Sequence, residues 1–180
     1  MHQALVEHLL EHSVKRGDFV LRSGKQSNWF IDAKQTTCSP DGMLLVADAF
    51  LTVLPEDIDA VGGLTMGADA IAFSVAAIAA TRGRMLRSFS VRKEEKDHGA
   101  GGRIAGALRP GDRVALTDDA ITRGVAFLEA AAAVRAVGAE PRIAIPVVDR
   151  GGTAAAMCEK DGIAFTPLVT APDLGFDYEG

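Results

Sequence analysis

Apolar and polar positions follow two rhythms along this chain. In the first eighteen residues, MHQALVEHLLEHSVKRGD, Leu5, Val6, Leu9 and Leu10 recur at helical spacing and predict an amphipathic helix. From residue 59 onward short apolar runs alternate with longer Ala-rich stretches. Asp59–Leu64 ends its apolar run in glycines and reads as a strand, and a helix follows over Ala68–Ala80. Met85–Val91 is a second strand, whereas Arg92–Arg103 is too polar and Gly-rich for a core element. Arg113–Thr117 reads as a strand, Val125–Val137 as a helix ended by Gly138, Arg142–Val148 as a strand, Thr153–Lys160 as a helix and Ile163–Val169 as a last strand. Alternating strands and helices predict an α/β fold with a central parallel sheet covered on both faces. Ligands of such sheets bind in the loops at the carboxyl ends of the strands.

Composition narrows the class. The 180 residues suit one domain, and 48% hydrophobic with 24% charged residues exclude a disordered, collagen-like or coiled-coil chain. The longest stretch without a charge, residues 70–81, is well short of the roughly 20 residues a bilayer span needs, so no membrane helix is expected. The N-terminus carries acids and histidines and does not read as a signal peptide. Cys38 and Cys158 form neither a disulfide framework nor a zinc spacing, which fits a reducing cytoplasm. Net charge is −5, yet residues 81–103 hold seven Lys or Arg against three acids. An acidic chain with one basic segment is a poor general nucleic-acid binder; it concentrates positive charge where one anionic small molecule binds.

Three of the loops hold unusual residues. Leu116-Thr-Asp-Asp-Ala-Ile-Thr-Arg-Gly124 joins a strand to a helix. The N–H groups and dipole of a helix start hold phosphate, and Asp118 and Asp119 stand beside it, suited to sugar hydroxyls or to water on Mg2+; a plain helix cap is the simpler use of an Asp there. Val91-Arg-Lys-Glu-Glu-Lys-Asp-His-Gly-Ala-Gly-Gly102 places Arg92, Lys93, Lys96 and His98 among glycines. Such a loop can close over a diphosphate and offset the charge of a leaving group, or it can be an ordinary solvated charged loop. In Phe19-Val-Leu-Arg-Ser-Gly-Lys-Gln-Ser-Asn-Trp-Phe-Ile-Asp32, Trp29 and Phe30 can flank a flat aromatic substrate near Arg22, or simply belong to the core.

Together these segments resemble the orotate phosphoribosyltransferases of the type I phosphoribosyltransferase family. The 118–124 loop is similar to that family's PRPP-binding motif, RKEEKDHG to the mobile catalytic loop of the orotate enzymes, and FVLRSGKQSNWFID to their N-terminal FxLxSG segment. Gly62-Gly-Leu-Thr-Met-Gly-Ala-Asp69 resembles their diphosphate-binding loop, and Val147-Val-Asp-Arg150 and Asp173-Leu-Gly175 also fit the subfamily. The likeness runs in order over nearly the whole chain.

The resemblance implies a single type I phosphoribosyltransferase domain, with residues 1–35 and the C-terminal segment forming a small hood over a core at about residues 40–170. It implies transfer of the 5-phosphoribosyl group from 5-phosphoribosyl-1-diphosphate (PRPP) to orotate, giving orotidine 5′-monophosphate and pyrophosphate in UMP synthesis, with Mg2+ as cofactor. Lys96, Asp119, Arg92 and His98 become the catalytic residues, and Lys93 joins Arg92, Lys96 and His98 on the diphosphate. Asp118 and Asp119 hold the ribose hydroxyls and, through water and substrate, the metal. Ala120, Ile121, Thr122, Arg123, Gly124, Val125 and Ala126 surround the 5′-phosphate. Arg150 and the backbone near Trp29 and Phe30 hold orotate, with Arg22 and Thr122 also at its site, the guanidinium of Arg150 matching its oxygens in two-point geometry. A cytoplasmic homodimer whose catalytic loop serves the neighbour's site is implied as well.

This chain has Arg123 where relatives often carry Thr or Ala, and Val125 and Ala126 where they place a hydroxyl. Arg22 and Met66 stand where many or some have Lys. A phosphoribosyltransferase for another base would share the PRPP loop but has little reason to carry both RKEEKDHG and VVDR. A PRPP-binding regulator without turnover would not need both aspartates, Lys96 and His98. A dinucleotide-binding domain lacks its G-x-G-x-x-G after an early strand.

Overall fold

Alternate residues of the sheet strands are buried against opposite layers of helix, which is what a sheet covered on both faces requires. The computed structural model describes residues 2–20, 24, 26–95 and 102–179, so Arg22, Lys96 and His98 lie outside the described residues. The elements are α1 (Gln3–His8), continued by one wider π turn over Leu9–Ser13, β1 (Val14–Val20), β2 (Gln26–Ile31), α2 (Lys34–Thr37), α3 (Pro40–Val53), β3 (Ala60–Leu64), α4 (Asp69–Thr81), β4 (Arg87–Val91), β5 (Ile104–Gly106), β6 (Arg113–Ile121), α5 (Val125–Ala136), β7 (Glu140–Asp149), α6 (Ala154–Lys160), β8 (Ala164–Phe165) and β9 (Val169–Thr170), with a 3-10 turn at Pro172–Leu174.

The main sheet runs β5-β4-β3-β6-β7-β8, and β9 also pairs with β7. Only β5, at the edge, is antiparallel to its neighbour. On one face Val61, Ala115 and Ile145 pack with Val46 and Phe50 of α3 and Ile71 and Val75 of α4. On the other Ala60, Val114, Leu116 and Ala144 meet Phe127, Ala131 and Val134 of α5 and Cys158 of α6. The close strand-to-strand and strand-to-helix approach explains the paired glycines of β3: a Cβ at Gly63 would lie 2.2 Å from the Thr117 carbonyl oxygen.

Four boundaries differ from the sequence pattern. The N-terminal helix stops at Ser13, and residues 14–18, expected to be helical, belong to β1, which pairs with β2 as an antiparallel hairpin with a register shift between Arg16 and Phe19. Leu5, Val6 and Leu9 enter the core as expected, but Leu10 is 37% exposed because the turn that carries it widens and the chain leaves the core. β6 extends through Asp118 and Asp119 to Ile121 because β7 continues to pair with it as far as Asp149. The last strand is two short ones, since Pro167 has no N–H to donate to the ladder. α3, which the periodicity did not single out, starts at Pro40 with the Gly42 N–H donated to Ser39 Oγ (3.1 Å).

Candidate active site

The loops that follow β3, β4, β6 and β7 all lie at the carboxyl end of the parallel strands. At that end of β6 the Asp119 N–H donates to Asp118 Oδ1 (3.0 Å) and the Ala120 N–H to Asp119 Oδ1 (2.8 Å), so each carboxylate is oriented by the backbone just after it. Lys34, at the start of α2, donates its ammonium to Asp119 Oδ2. Gly67, in the loop after β3, faces the pair: a Cβ there would lie 1.9 Å from Asp118 Oδ1 and 3.0 Å from Asp119 Oδ1. That loop is fixed in turn by Asp69, which accepts from Thr65 Oγ1 and Ser90 Oγ at 2.7 Å each. Met66, on the same loop, is 72% exposed.

Burial, and then the charge of Asp119 beside it, push the Asp118 carboxyl up to about 7. A carboxyl raised in the folded state stabilises the fold below its unfolded value of 3.8, and that contribution is lost as pH rises through about 7. Asp118→Asn is therefore expected to raise the thermal midpoint of the ligand-free protein at pH 8 by a few degrees, roughly 2–4 °C for each kcal/mol recovered. A smaller rise is expected at pH 5, where the unfolded carboxyl is already ionised and the folded one is not. Melting curves at the two pH values check it; an equal effect at both refutes the assignment.

The helix that follows begins at Gly124, whose φ of +80° favours glycine and where a Cβ would lie 3.0 Å from Ala154 Cβ. At the start of α5 the Phe127 N–H donates to the Gly124 carbonyl (3.0 Å), and the Val125 and Ala126 N–H groups before it are those a helix start leaves without an intrahelical partner. This turn rests on the loop after β7. The Arg150 N–H donates to the Ile121 carbonyl (2.8 Å), Thr153 Oγ1 to the Thr122 carbonyl (3.1 Å), and a Cβ at Gly151 would meet the Thr122 oxygen at 1.8 Å. Arg123 and Val125 are exposed and Ala126 half-buried, so the rim of this turn carries a guanidinium and an apolar side chain. Arg92 and Lys93 leave the end of β4. The Arg92 N–H donates to the Arg103 carbonyl (2.7 Å) and Arg103 Nε to the Arg92 carbonyl (2.7 Å), closing the base of the 92–103 excursion.

Arg150 reaches the hairpin. Its Nε donates to Glu179 Oε2 (2.7 Å) and its Nη2 to the Trp29 carbonyl (3.3 Å), Nη2 also lies 2.5 Å from Glu179 Oε2 as an ion pair, and its guanidinium lies 4.8 Å from the centre of the Trp29 ring. The other face of Trp29 stacks on Phe176, centroids 4.4 Å apart and planes 4° apart, and Arg16 covers Phe176 at 4.6 Å. Trp29 is 1% exposed. Of the two uses open to Trp29, the core place is the one it takes. Both faces of the indole are covered, so Trp29 cannot offer a ring to a flat substrate and only its backbone can serve one. Nε and Nη2 of Arg150 are engaged by Glu179 and the Trp29 carbonyl. Phe30 is half-exposed and packs on Phe19, centroids 5.7 Å apart.

Asp118, Asp119, Thr122, Gly124 and Arg150 thus gather on adjoining loops, and Trp29 touches Arg150. Arg92 and Lys93 share the same end of the sheet without contacting the aspartates. Lys34 and Glu179 carried no signal in the sequence, since their partners lie 85 and 29 residues away. A cleft of about 570 Å3 lined by Arg16, Trp29, Phe176 and Glu179 includes neither aspartate. Among the described residues no group of three or more His, Cys, Asp or Glu side chains is placed to hold a metal, and no helix is long and apolar enough to cross a membrane.

No family model matches the chain. It is 36% identical over 173 residues to an orotate phosphoribosyltransferase of Rhodopirellula baltica, covering 92% of this chain and 89% of that protein. The Mycobacterium tuberculosis orotate phosphoribosyltransferase in complex with Fe(III) dicitrate superposes with a TM-score of 0.86 at 33% identity, covering 97% of this chain and 99% of the other. The same enzyme in complex with PRPP superposes with a TM-score of 0.81 at 32% identity and the same coverage.

Proposed function

The chain belongs to the orotate phosphoribosyltransferase family, and from that premise we propose that it transfers the 5-phosphoribosyl group of PRPP to orotate, forming orotidine 5′-monophosphate and pyrophosphate on the route to UMP. The observation that carries this reading is the meeting of two oriented carboxylates, a glycine loop and a helix start at one sheet end. Each part suits one part of PRPP. Asp118 and Asp119 accept from the ribose hydroxyls. The N–H groups around Thr122–Ala126, with Arg123 at the rim, take the 5′-phosphate. The loop at Gly67 leaves room for the diphosphate, and Arg92, Lys93, Lys96 and His98 offset its charge as the anomeric C–O bond breaks and the bond to the base nitrogen forms. Orotate lies between Arg150, the Trp29–Phe30 backbone and Thr122, in a reading where 1–35 and the C-terminal segment make the hood.

The donor set fits Mg2+ held through water and substrate oxygens rather than by a protein cage, since Asp118 and Asp119 are hard oxygen ligands at the ribose position. When bound, the cation neutralises diphosphate charge. A homodimer that shares its 92–103 loop across the interface completes the reading. The two unpaired cysteines, Cys38 exposed and Cys158 buried, support a cytoplasmic setting.

Orotate absorbance gives the test. Its consumption should require both PRPP and a divalent cation, and adenine should not substitute. Full activity in excess chelator, or with adenine alone as the base, refutes the assignment.

A further inference from the structure

The contacts around Arg150 leave its guanidinium little freedom. The Trp29 ring lies against it, the Trp29 carbonyl accepts from Nη2, and Glu179 Oε2 accepts from Nε and pairs with Nη2 at 2.5 Å. Nη1 has no partner among the described residues. Glu179 is itself held: Ser27 Oγ donates to its Oε1, and its N–H donates to the Arg150 carbonyl (3.0 Å). Both charged side chains are 11% exposed. Tyr178, next along the chain, lies where a Cβ on Gly152 would be 2.7 Å from its ring, so 176–179 is seated against the loop that carries Arg150.

We infer that Glu179 is a positioning residue for the substrate base, turning Arg150 so that Nη1 is the single donor presented to an oxygen of a planar acidic pyrimidine. The inference rests on the proposed function and deepens it, bringing the 172–179 segment into the orotate side of the site. A carboxylate that merely plugged the arginine would engage Nη1 as well; Glu179 engages Nε and Nη2. The geometry also accounts for specificity. An Nη1 amino group met by an acceptor oxygen discriminates against a base with an N–H in that place, since donors would then face each other.

The test is steady-state kinetics of Glu179→Gln and Glu179→Ala, read separately for the two substrates. Glu179→Ala should raise the orotate KM about tenfold, the order expected for losing about 1.4 kcal/mol of binding, and leave the PRPP KM within twofold. Glu179→Gln, which keeps the shape and one acceptor, should fall between wild type and Glu179→Ala. In an Arg150→Ala background Glu179→Ala should add nothing further to the orotate KM, because it acts through that guanidinium. A fall in the orotate KM shows that Glu179 competes with substrate and overturns the inference. So do an unchanged orotate KM, equal rises in both KM values, or additivity with Arg150→Ala. Failure of the underlying reading shows differently: the unsubstituted protein would then consume no orotate with PRPP, or Arg150→Ala alone would leave the orotate KM unaltered.

Discussion

Asp119→Asn is expected to lower kcat/KM for PRPP at least a hundredfold with little change in thermal midpoint. The carboxylate sits at the end of β6, one oxygen on the Ala120 N–H and the other on the Lys34 ammonium. An amide keeps the volume and one acceptor but loses the charge and turns a donor toward Lys34 or the ribose. Charge-assisted hydrogen bonds contribute about 1.5–3 kcal/mol each, and about 1.4 kcal/mol is tenfold; two such losses reach the predicted size. The fold is spared because the Lys34–Asp119 pair is partly exposed, with the Lys34 side chain 42% accessible. Activity above a tenth of wild type rejects the role given to Asp119. The same variant tests the shared loop. Mixed with Lys96→Ala and allowed to exchange subunits, it should regain roughly a quarter of wild-type activity, the statistical yield of one sound site in each mixed dimer. No recovery despite proven exchange means that the loop serves its own subunit.

Gly67→Ala is expected to be the most damaging single methyl group near the ribose carboxylates. The backbone at Gly67 lacks the positive φ that would exclude a side chain, so the cost is space alone. The added carbon falls 1.9 Å from Asp118 Oδ1, an oxygen already fixed by the Asp119 N–H. Either the loop after β3 retreats or Asp118 leaves its rotamer, at about 1–3 kcal/mol by the usual cost of overpacking. The PRPP KM should rise roughly tenfold to a hundredfold on the same arithmetic, since both candidate ribose ligands and the diphosphate loop are displaced together. Combining Gly67→Ala with Asp118→Ala separates this from general damage. Removing the Asp118 oxygens relieves the clash, so the double variant should melt no lower than Asp118→Ala alone. A clearly lower midpoint would mean that the methyl group collides elsewhere.

Local sequence carried the parts of the fold that depend on local periodicity. Strands β3, β4, β6 and β7 and helices α4, α5 and α6 stand within a few residues of where the apolar pattern puts them. α3 is different, because its apolar residues surround the helix. Val46, Ala47 and Phe50 are buried while Leu44 is 52% exposed, which blurs the period; Ser39 and Pro40 were the remaining signals. β1 is mostly exposed and polar over Lys15–Asp18, so nothing in its own residues distinguishes it from the end of the preceding helix; its partner β2 decides. The candidate site divides in the same way. Asp118, Asp119, Thr122 and Gly124 are contiguous, and a short motif exposes them together. Lys34 on Asp119, Gly67 against Asp118 and Glu179 on Arg150 arise from tertiary approach, and nothing nearby in sequence marks them. Trp29 was legible as an aromatic beside a cation, with a core place and a substrate face both open to it, and which surfaces covered its faces depended on residues 150 and 176.

The layered arrangement of Arg16, Phe176, Trp29 and Arg150 also gives the molecule an optical address. Trp29 is the only tryptophan in the chain, and it is clamped between a phenyl ring and the guanidinium assigned to the substrate base. Light absorbed and re-emitted by indole therefore comes from a single place, one residue away from the proposed chemistry. The protein carries its own chromophore at the seat of the base, and its emission can follow occupancy there in real time without an attached label.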